Sequence, residues 1–417
     1  MTEQMARSAL SVIKFASRRF TGLLSPLCSR TLNSRRYCTS APRPIVAEAL
    51  DAVTRLELHV NRWPHTLGIS YLWLRDHCRC PECYNYITNQ RKLDMHKIPL
   101  NIRPASVKTT QKVLEIQWPD GHKSEYEYKF LWQNTYEGRQ TSHKKSRRLW
   151  NANTFPKENQ TTVPLTDIKN PEKDGLKRLI SSIITHGFGC ISGVPLDMDG
   201  TQAVVEEICP VKPTFFGSMW SFQADYERAD TAYSDEYLGT HTDTTYLSEA
   251  CRIQVFHCLE QATEGGETIL VDGFNVAQQF HDRHPEGYAF LSKNAIPSEY
   301  IGDGQHMYCL DTVFKHNPAT GDLIQFRYNI YDRAPLASVP VAKMQEFYLH
   351  MRNLGKIVRN SRNECWLKLQ PGTLLLIDNW RVMHGRNKYS GPRIMGGCYL
   401  DNDGFTNKAR TLEVPLD

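Results

Sequence analysis

The sequence predicts a mainly β fold with helical insertions, in which a double-stranded β-helix, or jelly roll, follows a small N-terminal β domain. Many short strand-like runs separated by turn residues occupy the second half of the chain, which favours a double-sheet jelly roll over a parallel α/β sheet. His241 and His384, two candidate ligands of one metal ion, are far apart in sequence, as expected when early and late strands lie side by side. The chain contains no H-E-x-x-H motif and no phosphate-binding loop.

Composition divides the 417-residue chain into four segments. Residues 1–43 have eight Lys and Arg residues, one acidic residue and several Ser residues, which is typical of a mitochondrial transit peptide; a basic disordered arm is the alternative. We predict a small β domain at residues 44–139, a linker rich in Lys, Arg and Asn at residues 140–165, and a jelly-roll domain at residues 166–417.

The charge and the cysteine content exclude several classes of protein. The net charge of the chain is +5, but the first 43 residues carry more than this, so the remainder is slightly acidic, at −2. That balance argues against a nucleic-acid-binding surface. No stretch is long and apolar enough to cross a bilayer, so we predict no membrane insertion. The 12 cysteines are scattered through a large chain, which predicts free thiols and metal ligands and not disulfides.

Periodicity predicts the individual elements. Apolar residues at helical spacing from Leu176 to Ile184 predict a helix that ends at Gly187. Alternating residues predict antiparallel strands at residues 113–118 and 124–128 in the N-terminal domain. In the jelly roll we predict strands at residues 251–256, 268–271, 322–328, 373–377 and 393–400, interrupted by helices at roughly 275–292 and 339–357.

The candidate iron site is His241-Thr242-Asp243 with His384. Side chains two positions apart on an extended strand point the same way, so we expect His241 and Asp243 to share one ion, with His384 from a later strand as the third ligand. Two imidazoles and one carboxylate leave positions open for substrate and oxygen. A second H-x-[DE] copy, at residues 284–286, lies in a polar helical stretch and contains Pro285, so we do not expect it to bind metal.

Two further residues predict an oxo-acid cosubstrate. Arg393 lies nine positions after His384, where it can grip the far carboxylate of a 2-oxo diacid whose other end chelates the metal. The hydroxyl of Thr268 can add a hydrogen bond to the same carboxylate. Together with the three ligands, Arg393 predicts an iron and 2-oxoglutarate site.

A cysteine cluster predicts a structural zinc site in the N-terminal domain. Cys78, Cys80 and Cys83 lie within six positions, and a closed zinc site needs a fourth nitrogen or sulfur ligand. His77 is too close to Cys78 to reach around the ion. Of the remaining candidates, His96 and His122, we prefer His122, because a turn between strands can present it to the cysteine loop.

Three aromatic residues flank the metal motifs: Trp220, Tyr233 and Tyr399. Aromatic faces grouped at a site can bind a quaternary ammonium ion by cation–π attraction, although aromatics near a barrel mouth also belong to cores.

From about Tyr71 to the C-terminus, the chain resembles the betaine hydroxylases of the iron and 2-oxoglutarate dioxygenase superfamily. Four strings carry the resemblance, at residues 73–76 with the cysteine cluster, 118–122, 271–274 and 378–381. The resemblance implies that His241, Asp243 and His384 bind iron, that Arg393 binds 2-oxoglutarate, and that the three cysteines and His122 bind zinc. It also implies a trimethylammonium cage, formed by Trp220, Tyr233 and Tyr399 together with Phe216, which stands where relatives carry a tyrosine.

The family has two branches, which act on trimethyllysine and on γ-butyrobetaine. Residues 241–246 and 327–334, and the predicted transit peptide, resemble the trimethyllysine branch, whereas the complete cysteine trio is more like the other. Asp230 stands where the butyrobetaine branch has a neutral amide, and an aspartate there could pair with the α-ammonium of trimethyllysine.

The resemblance therefore implies hydroxylation of N6,N6,N6-trimethyllysine at C3, the first step of carnitine biosynthesis, in the mitochondrial matrix. It implies Fe(II), 2-oxoglutarate, O2, ascorbate and a structural zinc, and it leads us to expect a homodimer. The alternatives are γ-butyrobetaine hydroxylation, a protein-directed hydroxylase, and an iron-binding scaffold or sensor without turnover.

Overall fold

The computed structural model of the chain describes residues 47–51, 54–138, 147–223 and 234–416. The predicted transit peptide and two candidate substrate residues, Asp230 and Tyr233, lie outside these ranges. The chain forms two compact units, one ending at Tyr128 and the other beginning at Lys129. Among the described helices, none combines the length and the apolar character that a membrane span requires.

The first unit contains two small antiparallel sheets of three strands each and a short hairpin. Its strands are β1 (Ala47–Asp51), β2 (Arg55–Val60), β3 (Leu67–Ser70), β4 (Tyr84–Asn85), β5 (Gln90–Arg91), β6 (Ser106–Thr109), β7 (Val113–Gln117) and β8 (Lys123–Glu127). Helix α1 (Tyr71–Asp76) and a 3-10 turn (Met95–Lys97) lie between them, and α2 (Tyr128–Asn134) begins at the boundary. The strands predicted at 113–118 and 124–128 are confirmed as β7 and β8.

Two main sheets form the second unit, with six strands in the order β11-β24-β13-β21-β10-β9 and four in the order β12-β22-β15-β20, and three two-stranded sheets accompany them, β14-β23, β16-β17 and β18-β19. The strands are β9 (Thr162–Pro164), β10 (Phe188–Ser192), β11 (Met219–Phe222), β12 (Leu238–His241), β13 (Ile253–Glu260), β14 (Glu264–Gly265), β15 (Thr268–Asp272), β16 (Ile296–Gly302), β17 (Gln305–Asp311), β18 (Phe314–His316), β19 (Leu323–Phe326), β20 (Cys365–Leu367), β21 (Leu374–Asp378), β22 (Val382–Arg386), β23 (Tyr389–Ser390) and β24 (Ile394–Leu400). Pairing within both sheets is antiparallel apart from β9 with β10.

Residues of both sheets share one buried core. Phe188 and Ile377 of the six-stranded sheet pack in one hydrophobic cluster with Leu270 and Val382 of the four-stranded sheet. From β11 onward the chain crosses repeatedly between the two sheets, and the late strands β22 and β24 lie beside the early strands β12 and β11. These features confirm the predicted jelly roll.

Helices of the second unit are α3 (Glu158–Thr161), α4 (Leu165–Ile168), α5 (Gly175–His186), α6 (Met198–Val205), α7 (Gly273–Arg283), α8 (Pro285–Lys293), α9 (Val341–Val358) and α10 (Asn402–Thr411), with a 3-10 turn at Pro171–Lys173. The apolar face of α5 packs against the six-stranded sheet through Leu179 and Ile183, and the helix ends as predicted at Gly187, whose φ of 83° lies in the left-handed region. The helices α7, α8 and α9 are the predicted insertions and form a second core with β15 and β19.

The described part of the predicted linker, from residue 147 onward, belongs to the second unit. Trp150 is buried there, and its indole Nε1 donates to the carbonyl of His186 at 2.6 Å. Strand β9 extends the six-stranded sheet as its edge strand. A polar composition predicts a linker, but one buried indole and three residues of strand pairing suffice to attach the segment to the jelly roll.

Candidate active site and metal centres

Strand pairing brings the two candidate iron-binding histidines together. His241, the last residue of β12, lies directly opposite His384 of β22 in the antiparallel register, and their ring centroids are 4.6 Å apart. The Oδ1 of Asp243 is 3.1 Å from the Nε2 of His241 and 3.7 Å from the Nε2 of His384. The three donor atoms therefore converge on one point, within 4.8 Å of one another.

A turn, and not a continuous strand, places Asp243. We predicted that His241 and Asp243 share one face of a strand, but β12 ends at His241. Thr244 follows with a φ of 57°, in the left-handed region that is uncommon for a residue other than glycine. Its hydroxyl accepts a hydrogen bond from the main-chain nitrogen of Cys251 at 2.9 Å, which holds the turn. The prediction that the strand continues to Asp243 was wrong. The turn contains neither glycine nor proline, the residues that usually mark a turn in a sequence.

Three residues from neighbouring strands and turns fix Asp243, two of them through its carboxylate and one through its main chain. Its Oδ2 accepts hydrogen bonds from the amide of Gln254 and from the hydroxyl of Tyr399, the latter at 2.8 Å. The side chain of Asn379 accepts from the main-chain nitrogen of Asp243 at 2.7 Å and donates to its carbonyl at 3.0 Å. With Oδ2 occupied, Oδ1 faces the two imidazoles. Sequence reasoning missed Gln254 and Asn379 in these roles.

The protonation states suit metal binding. His241 donates from Nδ1 to the carbonyl of Gly239 at 2.8 Å, so its Nε2 is the nitrogen that faces Asp243. Burial alone would lower the pKa of His241, but the hydrogen bond and the charge of Asp243 outweigh it and raise that pKa, so a metal ion that binds here displaces a proton from Nε2. Burial lowers the pKa of His384 to about 3, although the charge of Asp243 opposes this. Burial alone would raise the pKa of Asp243, but His384, His241 and the hydroxyl of Tyr399 outweigh it and hold that pKa well below its usual range. Neutral imidazole and charged carboxylate are the forms that ligate a divalent cation.

A cavity of about 120 Å³ opens beside these three residues. The buried guanidinium of Arg393 lines it, and Nη1 of that side chain has no hydrogen-bond partner among the described residues. Burial and the charge of Arg386 lower the pKa of Arg393 to about 10, so it stays charged at neutral pH. Because a buried unpaired donor is costly, Arg393 fits a carboxylate ligand in this cavity. Thr268 also lines it.

Arg386 is a second buried cation at this end of the cavity, and sequence reasoning gave it no role. It lies directly opposite Thr268 in the pairing of β22 with β15, and donates to the carbonyls of Ser234 at 2.6 Å and Glu236 at 3.1 Å. These hydrogen bonds tie the Arg386 side chain to the main chain just before β12. Its position two residues after His384 on a predicted strand was a signal that could have placed it in the cavity.

Aromatic residues form another wall of the cavity. Trp220 of β11 lies opposite Gly397 of β24, where a Cβ atom would come within 2.2 Å of the indole, so the glycine is required for this close approach. The ring centroids of Trp220 and Tyr399 are 5.7 Å apart. Phe216 lines the same cavity. Three of the predicted cage residues are thus brought together, while Tyr233 lies outside the described ranges.

The second H-x-[DE] copy lies away from the active-site cavity and is in neither cluster of metal-ligand side chains among the described residues. His284 lies at the junction of α7 and α8, Pro285 is at the first turn of α8, and none of residues 284–286 lines the cavity. These residues lie at the ends of two helices and not in a strand, as the polar helical pattern and Pro285 predicted.

In the first unit, the cysteine loop and a hairpin turn bring four donors together. The Nε2 of His122 is 3.4 Å from the sulfur of Cys78 and 3.5 Å from the sulfurs of Cys80 and Cys83. In a tetrahedral zinc site with bonds of about 2.3 Å to sulfur and 2.0 Å to nitrogen, donors lie about 3.5 Å apart. The cluster therefore has the dimensions of a Cys3His zinc site.

The surroundings of the three candidate histidines show which of them can be the fourth donor. The other ring nitrogen of His122, Nδ1, is 3.3 Å from Oε2 of Glu82, which orients the ring. His77 instead stacks on Trp73 at 4.3 Å and bonds the carbonyl of that residue. His96 lies exposed in the 3-10 turn of the first unit. The structure thus brings His122 to the cysteines, as preferred from the sequence.

The second unit is a jelly roll in which two histidines and an aspartate converge beside a cavity with a buried arginine. This combination defines the class of iron and 2-oxoglutarate-dependent oxygenases. The chain belongs to the taurine catabolism dioxygenase family, TauD and TfdA, whose sequence model matches residues 145–399. The model of the γ-butyrobetaine hydroxylase-like N-terminal domain matches residues 55–132. The protein is thus an enzyme that depends on iron and 2-oxoglutarate.

Several curated proteins are similar to the chain over most of its length. Mitochondrial trimethyllysine dioxygenase of Gallus gallus is 39% identical over 400 residues, 94% of each chain. The Homo sapiens protein of the same name is 40% identical over 352 residues, 83% of each chain. Among solved structures, PvcB, an Fe, α-ketoglutarate-dependent oxygenase from an isonitrile synthetic pathway, matches 58% of this chain and 87% of its own, with 17% identity and a TM-score of 0.41.

Proposed function

We propose that the protein hydroxylates C3 of N6,N6,N6-trimethyllysine, the first step of carnitine biosynthesis, with 2-oxoglutarate and O2 as cosubstrates. The relatives that cover most of the chain are named trimethyllysine dioxygenases. The observation that carries the proposal is the aromatic wall of Trp220 and Tyr399 in the same cavity as the His241, Asp243 and His384 cluster. A trimethylammonium ion is attracted to such faces and is inexpensive to desolvate.

In this proposal His241, Asp243 and His384 hold Fe(II). When bound, the iron supplies oxygen activation coupled to decarboxylation of 2-oxoglutarate. The Oδ1 of Asp243 is the coordinating oxygen, because Gln254 and Tyr399 already bond Oδ2. Those donors keep the carboxylate charged and fix its orientation, as residues around metal ligands do.

Arg393 binds the distal carboxylate of 2-oxoglutarate, with the hydroxyl of Thr268 as a second donor. The guanidinium is buried, charged and has an unpaired Nη1 within the cavity, so a carboxylate there would satisfy it. The low dielectric of the buried site strengthens this pair. Its role is to hold the cosubstrate in one orientation beside the ligands.

Trp220, Tyr399 and Phe216 receive the trimethylammonium group and exclude water from the carbon to be oxidised. Tyr233 completes this cage and Asp230 pairs with the α-ammonium in the proposal. If Asp230→Asn left the KM and turnover of trimethyllysine unchanged, this role of Asp230 would be abandoned.

We further propose that Cys78, Cys80, Cys83 and His122 bind a structural zinc ion. Four protein donors close the coordination sphere, so its contribution is to folding and not to chemistry. Ascorbate as the reductant of the iron, the mitochondrial matrix as the location, and a homodimer complete the proposal; the location is supported by the mitochondrial names of the animal relatives.

The test is a turnover assay of the iron-loaded protein with 2-oxoglutarate and ascorbate, in which trimethyllysine and γ-butyrobetaine are supplied separately. We expect succinate and a hydroxylated product, heavier by one oxygen, from trimethyllysine alone. A preference for γ-butyrobetaine would keep the mechanism and reverse the substrate. Absence of turnover with both would contradict the proposed substrate class.

A further inference from the structure

A second, basic pocket lies behind one wall of the active-site cavity. It has a volume of about 630 Å³, and four of its lining residues are cationic: Arg333, Arg352, Lys356 and Arg359. No acidic residue lines it. None of the four cations forms an ion pair with a carboxylate among the residues that the structure describes. Glu364 feels the charge of Arg359 but does not line the pocket. Four cations around one concavity favour a ligand of opposite charge.

Favourable interaction with the helix dipole accounts for only part of this cluster. Lys356 lies in the last turn of α9 and Arg359 is its C-terminal cap, where cations are favoured without any ligand, whereas Arg352 lies one turn farther from the end. Arg333 comes from a different segment, and its guanidinium lies over the rings of Phe347 and Tyr348 at 5.7 and 5.6 Å. These contacts hold a fourth cation toward the same pocket, which the helix dipole does not require.

The floor of the pocket is a glycine within the long helix α9. Gly355 is not among the residues with positive φ, so its backbone does not require glycine, and glycine in a helix is unfavourable relative to alanine by about 1 kcal/mol. A Cβ atom at this position would meet only the hydroxyl of Tyr328, at 3.5 Å. The missing side chain thus leaves space between α9 and Tyr328, in the middle of the cations.

Residues 328–333 separate this pocket from the active-site cavity. Tyr328, Ile330 and Arg333 line the basic pocket, whereas Asn329, Tyr331 and Asp332 line the cavity that holds the metal-ligand cluster. We call residues 328–333 the shared wall. A ligand that orders one side of this wall will affect the other side.

The shared wall is also bonded to the metal-ligand segment. The main-chain nitrogen of Thr242, which lies between His241 and Asp243, donates to the carbonyl of Tyr328 at 2.8 Å. The main-chain nitrogen of Tyr328 in turn donates to the hydroxyl of Thr242 at 3.0 Å. This reciprocal pair gives a direct physical route from the basic pocket to the active site.

We propose that the basic pocket is an effector site for a small oxyanion with two or more negative charges, which acts through the shared wall on binding of the amine substrate. Phosphates and dicarboxylates have this chemistry in common, and charge-assisted bonds from Arg and Lys recognise both. The location of the site does not depend on the proposed substrate. Its effect on amine binding rests on the proposed function.

The binding test uses the full chain with Mn(II) in place of iron and without 2-oxoglutarate, which is itself a dicarboxylate and would compete for the basic pocket. Every protein in this test, including the one with an intact basic pocket, carries Arg393→Gln, so that the active-site arginine cannot bind the titrated anion. Inorganic phosphate and succinate are titrated separately by calorimetry. We expect saturable binding of at least one of them, weakened at least about tenfold in Arg352→Gln/Lys356→Gln. The control, Lys343→Gln/Arg410→Gln, removes the same charge outside the pocket and should bind as the protein with an intact pocket does. Equal binding by the protein with an intact pocket and the pocket double variant would overturn the proposal.

A space-filling variant shows whether the anion binds inside the pocket or is only attracted by the surface cations. Gly355→Leu keeps all four cations but fills the floor, and a leucine in place of a helical glycine is favoured by local propensity. We expect it to lose anion binding while its melting temperature does not fall. Retained binding by a folded Gly355→Leu protein would show that the anion does not occupy this pocket, and the proposal would fail.

The effector role is tested by steady-state kinetics with iron. The bound anion should change the KM for the amine substrate at least about twofold in the native protein and not in Arg352→Gln/Lys356→Gln. An unchanged KM, with binding present, would overturn the effector role. A change of oligomeric state in the pocket variants, without loss of anion binding, would instead make this face an interface. Failure of the proposed function would appear as absent turnover, which leaves the calorimetric result intact.

Discussion

The two clusters of side chains that could hold a metal ion differ in their number of donors and in how the chain assembles them. In the first unit, three cysteines from one short loop and His122 supply four donors. In the second unit, His241, Asp243 and His384 supply three donors that face a cavity. Four protein donors complete a tetrahedron and leave no position for a substrate, whereas three leave positions open. Donor number thus distinguishes a folding site from a reaction site.

The clusters also differ before any metal binds. Burial raises the pKa of Cys78 to about 12, so its thiol is protonated at neutral pH and must lose a proton to bind zinc. Asp243 is already charged and His384 already neutral. Two of the three donors of the reaction site are therefore already in their ligating state, and His241, whose pKa Asp243 raises, gives up a proton on metal binding as the cysteines do.

The largest effect is expected from loss of an iron ligand. His241→Ala should reduce succinate formation at least about a thousandfold and remove bound iron, because two remaining donors hold the ion weakly. The melting temperature should change little, since the ligands contribute to chemistry and not to a closed structural site. The matched control is His284→Ala, in the H-x-E copy that lines no cavity, and it should keep full activity. Substantial activity in His241→Ala would show that this histidine is not a ligand.

Loss of one thiol should instead affect stability. Cys83→Ser should release zinc and destabilise the first unit on the order of 5 kcal/mol, because the binding free energy of a structural zinc is largely folding free energy. Mass spectrometry would measure the zinc content, and urea unfolding would measure the loss of stability. Cys309→Ser, on β17 and outside both clusters, is the control. A Cys83→Ser protein with unchanged zinc content and unchanged unfolding would refute the site.

Loss of the cavity arginine should affect one substrate only. Arg393→Gln should raise the KM for 2-oxoglutarate about 10- to 100-fold, the value of a charge-assisted hydrogen bond, and leave iron content unchanged. Lys388→Gln removes a nearby charge that does not line the cavity and serves as the control. An equal rise in KM for the amine substrate would argue that Arg393 shapes the whole cavity instead of binding the oxo acid.

The sequence predicts a site well when its residues are close together along the chain, and poorly when strand pairing brings them together. The cysteine trio lies within six positions, so its donor types and spacing already indicated zinc, and a turn favoured His122 as the fourth donor. The proposed iron ligands were predicted from residue type, and their convergence depended on the pairing of β12 with β22, which only the fold supplies. Gln254 was not predicted because it bonds Asp243 from β13, beside Tyr399 of β24, and nothing in its local sequence marks that neighbour. The buried Trp150 was missed for the same reason.

The smallest effects are expected from loss of the groups that orient a metal ligand in each cluster. Tyr399→Phe removes the hydroxyl that donates to Oδ2 of Asp243 and keeps the ring that faces the cavity, so iron affinity should fall about tenfold. Because this hydroxyl helps hold the pKa of Asp243 down, the variant should also lose iron at a higher pH than the native protein as the pH falls.

The corresponding change in the zinc cluster is Glu82→Gln, which neutralises the carboxylate beside Nδ1 of His122. The side chain of Glu82 is 83% exposed, so water screens its charge, and zinc affinity should change less than about twofold. Iron and zinc retention, measured by metal titration between pH 5 and pH 8, would compare the two variants directly. Equal losses would mean that burial of the orienting group is irrelevant. The expected inequality would mean that the reaction site depends on its buried neighbours and the structural site only on its four ligands.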